Sequence, residues 1–126
     1  PRSVVVTGME AIVIERFLTA RHYGVEASVL ASLAETFPGL DWEKIGDYFF
    51  QRVASHGRLR AEEMREAAVT VGDADLEPLI AAATAARQSW FAEQIAARGQ
   101  PQLQVAAWRD WADWLVGAEG TRRSPD

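Results

Sequence analysis

The side chains able to do chemistry in this 126-residue chain are few and scattered. His22 and His56 are the only histidines. Neither belongs to a Glu-x-x-His or His-x-x-x-His pair, the spacings by which one helix face offers two ligands to zinc or a di-iron centre. There is no cysteine, which excludes thiolate ligands, disulfides and a cysteine nucleophile. No Gly-x-Ser-x-Gly elbow and no Gly-x-x-x-x-Gly-Lys-Ser/Thr phosphate loop occurs. No catalytic residue, cofactor or metal is therefore expected, and each histidine reads as a surface or capping group.

The most informative spacing is aromatic. Three of the five tryptophans, Trp108, Trp111 and Trp114, stand three apart in Trp-Arg-Asp-Trp-Ala-Asp-Trp-Leu. On a helix they line one slowly rotating stripe, continued by Leu115. Two readings are open. The rings close the core of a helical bundle, or they reach the surface as anchors for a partner, with Arg109 between them. Interface centres are rich in tryptophan and arginine. The expected contact set is Trp108, Arg109, Trp111, Trp114 and Leu115, with Trp90 and Phe91 near by.

Some shorter patterns resemble known families. Glu62, Glu63 and Glu66 are similar to the Glu-Glu-x-x-Glu magnesium motif of MazG-type nucleotide pyrophosphohydrolases. The second Glu-x-x-Asp of those enzymes is missing, so these acids read as a solvated first helical turn. Arg16 and His22 fit the Arg-x(4–6)-His spacing of HEPN-type ribonucleases. Leu30, Leu33, Trp42, Ile45, Gly46, Phe49, Arg52 and Arg60 resemble the spacing of Myb/SANT-like repeats over about residues 26–60. That resemblance implies a three-helix unit whose last helix starts near Val53 and presents Ser55, His56, Arg58 and Arg60, so that the candidate DNA contacts are Arg52, His56, Arg58 and Arg60. The tryptophan expected near the start of the first helix is absent, and Gly57 falls inside the would-be reading helix.

The elements that must position these residues are helical. The run Val4-Val5-Val6 favours a short extended arm over residues 1–8. Helices are expected over 9–23, 26–36, 41–55, 60–71, 75–98 and 102–118. Gly24, Pro38, Gly57, Gly72 and Gly99 punctuate them, and Asp41 and Pro78 mark starts. Ile12, Val13, Phe17 and Ala20 form one face of the first helix, with Ile14 and Leu18 making it apolar on more than one side. Leu76, Leu79, Ile80, Ala83, Trp90, Phe91 and Ile95 form the face of the fifth. Its alanine run allows close approach of a neighbour. Residues 120–126 read as a flexible tail. The fold class is thus all-α, a single domain built as a compact orthogonal bundle of five or six helices.

Composition narrows the function. Net charge is −5 and neither half of the chain is basic, which argues against a broad nucleic-acid face. No stretch reaches membrane-spanning length, and the first residues hold too short an apolar run for a signal peptide. Cytoplasm is the expected location. The leading expectation is a non-enzymatic interaction module of accessory, inhibitor or adaptor type. It would bind another protein or a second copy of itself through the tryptophan-rich face. The alternatives are a small-molecule-binding or catalytic bundle with a tryptophan-lined pocket, given polarity by Tyr23, Tyr48, His22 or His56, and the Myb-like DNA reader.

Overall fold

A computed structural model describes residues 4–101 and 107–116. These residues form five α-helices and no strand: α1 (Val4–His22), α2 (Glu26–Thr36), α3 (Trp42–Asp73), α4 (Leu79–Arg98) and α5 (Trp108–Leu115). The all-α expectation holds. The expected tail at 120–126, and residues 102–106 and 117–118 of the expected last helix, lie outside the described residues.

The expected extended arm is overturned from Val4 onward, where α1 already runs. Three valines cost a helix only a few tenths of a kcal/mol each relative to better formers. That cost is offset by burial: Thr7, Glu10, Ala11, Ile14, Phe17 and Leu18 recur at helical spacing and are all buried. Val13 and Ala20 are buried as expected, but Ile12 is not; it is 66% exposed. Gly24 ends the helix as expected, at φ 71°, with its N–H on the Arg21 carbonyl and the Val25 N–H on the Ala20 carbonyl. Those two bonds make a Schellman cap, which favours glycine at the left-handed position.

The third and fourth expected helices are one. Helix α3 runs 32 residues, about 48 Å. Asp41 caps it by accepting the Lys44 N–H at 3.2 Å. Gly57 does not end it. A Cβ at Gly57 would sit 3.1 Å from the Gln88 carbonyl oxygen and 3.7 Å from the Ala92 Cβ. The glycine is there because α4 passes close, and the buried stripe Val53–Gly57–Arg60–Ala61–Met64 continues through it.

Helix α4 starts at Leu79 with Pro78 as its N-cap, four residues later than the expected start at Asp75. Its buried face is also rotated from the expected one. Ala81, Thr84, Ala85, Gln88 and Phe91 are buried, whereas Leu76, Leu79 and Ile80 are exposed. Small residues won the buried side because Met64, Ala67 and Ala68 of α3 pack directly on Ala81 and Ala85. The close approach expected of the alanine run is therefore realised.

The chain clusters into two compact units. One comprises residues 1–12 and 52–100, the other 13–51 and 101–126.

Candidate functional site

In the unit formed by residues 13–51 and 101–126, the tryptophan helix is an internal clasp. Trp108 is fully buried, with its ring centroid 4.9 Å from Phe17 and 6.0 Å from Phe50. Its backbone N–H donates to Asp47 Oδ1 at 2.8 Å, and its indole N–H donates to Glu43 Oε2 at 3.0 Å. The Asp47 carboxylate therefore satisfies an orphan donor in the first turn of α5, as a capping side chain would. Trp111 and Leu115 are buried too, and Trp114 is half-buried with its ring edge-on to Trp111. An eight-residue helix is marginal alone; these contacts are what hold it.

Charge reinforces the clasp. The Arg109 guanidinium lies 4.6 Å over the Trp108 ring and pairs with Glu43 at 2.7 Å and Glu26 at 3.8 Å. Arg21 pairs with Asp113 at 2.9 Å and also with Glu26. The hydrogen bond from Arg109 holds the Glu43 carboxyl below its usual range against partial burial. Burial, the largest single influence, would raise Glu26, but the Arg21 hydrogen bond, a backbone hydrogen bond and the charges of Arg21 and Arg109 together outweigh it and the net shift is downward. Bonding to Glu43 raises Arg109, and bonding to Asp113 and Glu26 raises Arg21.

The structure thus gathers Trp108, Arg109, Trp111, Trp114 and Leu115 on one helix and turns Trp108, Trp111 and Leu115 inward, leaving Arg109 and Trp114 half-buried. As surface anchors Trp108, Trp111 and Leu115 are corrected by their burial, with Phe17 and Phe50 packed on the Trp108 ring, while Arg109 is engaged by two carboxylates. The rings of Phe17 and Phe50 stand directly beside Trp108.

The nucleic-acid set comes apart as well. No new helix begins near Val53, because α3 is continuous there. Arg60 is buried and points at Glu10, 3.3 Å away, and Arg52 lies 3.5 Å from the same carboxylate. Only His56 and Arg58 face solvent, along a shallow groove of about 330 Å³ shared with Ser55, Leu59 and Glu62. Glu62, Glu63 and Glu66 are solvated as expected, but they lie mid-helix rather than in a first turn. His22 sits edge-on to Tyr23. Among the described residues no group of three metal-ligating side chains assembles, and no helix is long and apolar enough to cross a membrane.

Two features escaped the sequence reading, both in the unit formed by residues 1–12 and 52–100. The first is a buried polar cluster. Glu10 is wholly buried between Arg60, Arg52 and Gln88, whose side-chain amide donates to Glu10 Oε1 at 3.4 Å and to the Thr7 carbonyl at 3.3 Å. A lone acid in an otherwise apolar helix face was the available signal. The second is an aliphatic stripe on the opposite side of α1. Val5 is 70% exposed, Met9 40% and Ile12 66%. Their i, i+4, i+7 spacing puts all three on one face. The two-sided apolarity of this helix was legible in the sequence; what it leaves uncovered was not.

No curated protein matches the sequence. The fold is similar to the crystal structure of a conserved hypothetical protein from Sinorhizobium meliloti 1021, with a TM-score of 0.79 and 34% identity. The match covers 89% of this chain and 37% of that one, so the chain spans little more than a third of the solved relative. A family model described as a domain of unknown function, DUF1932, matches residues 20–91, the stretch that carries α2, α3, most of α4 and the end of α1. That match covers more than half of the sequence, so the chain belongs to the DUF1932 family.

Proposed function

We propose that this chain is a non-enzymatic protein–protein interaction module whose contact face is the aliphatic stripe Val5–Met9–Ile12 of α1. One observation carries the reading: three large aliphatic side chains stand in helical register and face water. Isolated exposed aliphatics are ordinary, but an ordered apolar stripe on a helix marks a docking face. The partner is further protein continuous with the module. The support is the Sinorhizobium protein, which carries this fold in a chain of which the match is 37%.

The test compares one substitution in two settings. Ile12→Asp in the present chain changes an exposed residue and leaves the melting temperature within error. The equivalent substitution in the full-length Sinorhizobium protein destabilises it by about 2 kcal/mol or more, because a charge enters a covered apolar contact. Equal, negligible effects in both proteins contradict the proposal.

A further inference from the structure

A second surface, independent of α1, lies where α3 turns into α4. Val69, Leu76, Leu79 and Ile80 are 65%, 65%, 64% and 76% exposed. Four large aliphatics therefore stand in water within twelve residues of chain. The turn that carries them is well built. The Asp75 N–H donates to the Gly72 carbonyl at 3.0 Å and the Leu76 N–H to the Val71 carbonyl at 3.3 Å, a Schellman cap. Such a cap usually tucks its last residue against the helix, yet Leu76 stays outside. Asp75 takes the left-handed position at φ 62°, where glycine is the ordinary choice and aspartate is tolerated.

The choice of aspartate fits the charge of the turn. From Glu66 to Ala86 the chain has no lysine or arginine, while Asp73, Asp75 and Glu77 alternate with the apolar residues and are exposed. An apolar patch rimmed by one sign of charge selects its partner twice, by shape and by complementary charge. A second copy of the same turn would bring like charges together.

We infer that the α3–α4 turn is a docking surface for a protein segment with an aliphatic face rimmed by lysine or arginine, such as a basic amphipathic helix. Leu76, Leu79 and Ile80 supply the apolar contact, with Val69 beside them on α3. Asp73, Asp75 and Glu77 set the orientation and the partner's sign.

The experiment titrates a short leucine/lysine amphipathic peptide into the isotopically labelled chain and follows backbone amide shifts. Shifts concentrated at residues 69–80, lost with a leucine/glutamate peptide of the same pattern, are the expected result. Ile80→Ser abolishes them. Asp73→Asn with Asp75→Gly and Glu77→Gln weakens binding about tenfold and flattens its salt dependence; Asp75→Gly suits the positive φ, so the turn itself survives. Shifts spread evenly over the acidic surface overturn the inference. So do shifts at residues 69–80 that grow with protein concentration without peptide, which make the surface a self-contact. Because this surface shares no residue with the α1 stripe, either can fail without the other.

Discussion

Gly46 lies against the face of Trp108: a Cβ placed there would fall 2.8 Å from Trp108 Cδ1 and 2.8 Å from Phe17 Cε2. No side chain larger than hydrogen fits without moving a ring. Gly46→Ala gains about 1 kcal/mol of helix propensity and loses more to overpacking. The net expectation is a destabilisation of about 1–2 kcal/mol, read by chemical denaturation, with a red shift of tryptophan emission as the Trp108 ring is displaced.

Gly57 makes the opposite case. Its Cβ would approach the Gln88 carbonyl at 3.1 Å, tight but short of a clash. Gly57→Ala is expected to change stability by less than about 1 kcal/mol, propensity offsetting crowding. Gly57→Val adds an isopropyl group, two methyls more than alanine, where the α4 backbone already presses and is expected to cost about 2–3 kcal/mol. If Gly57 were instead a helix breaker, alanine would rebuild the local backbone and shift the amide spectrum around it.

Removing Glu10 takes from the buried Arg60 its nearer carboxylate and leaves it only the exposed Glu63 at 3.9 Å. Arg60 has only about a twentieth of its side-chain surface exposed and faces the wholly buried carboxylate. Glu10→Ala is expected to cost about 3–5 kcal/mol, the range for breaking a buried pair from one side. Glu10→Leu combined with Arg60→Met is expected to recover most of that loss. Thermal or urea denaturation of the three variants checks both statements.

The α5 clasp gives a pH dependence of known sign. Glu43 and Glu26 have folded-state values below their unfolded ones. Each therefore contributes stability that is fully present above the ordinary glutamate range and is lost as pH falls through the depressed folded value. Unfolding followed from neutral pH down to about pH 3 should show this loss, accompanied by exposure of the Trp108 ring. Glu43→Gln should remove part of the slope. Both groups are partly solvated, so salt reduces the effect.

The fold was legible in the sequence where periodicity and punctuation agreed. Gly24 ended α1, residues 26–36 formed α2 and Asp41 capped α3. It was misread where a local signal meant something tertiary. Gly57 looked like a break because propensity cannot distinguish a breaker from a position that another helix crowds. Leu76, Leu79 and Ile80 looked like core because hydropathy ranks them above Ala81 and Ala85, which close packing prefers. The tryptophan stripe was found but its side was not: the ring count is the same for a core and an anchor, and only Phe17, Phe50 and Gly46 decide. Glu10 was passed over because one acid in an apolar helix carries no periodic signal.

The most direct measurement uses the absence of cysteine. Ile12→Cys gives this chain a single thiol on the proposed contact face, and the matching position is made the single thiol of the full-length Sinorhizobium relative. The rate of maleimide labelling is then compared. The account predicts rapid labelling in the present chain and at least about tenfold protection in the longer protein, released by mild denaturant. Equally rapid labelling in both contradicts it, because the stripe would then be facing water in either setting.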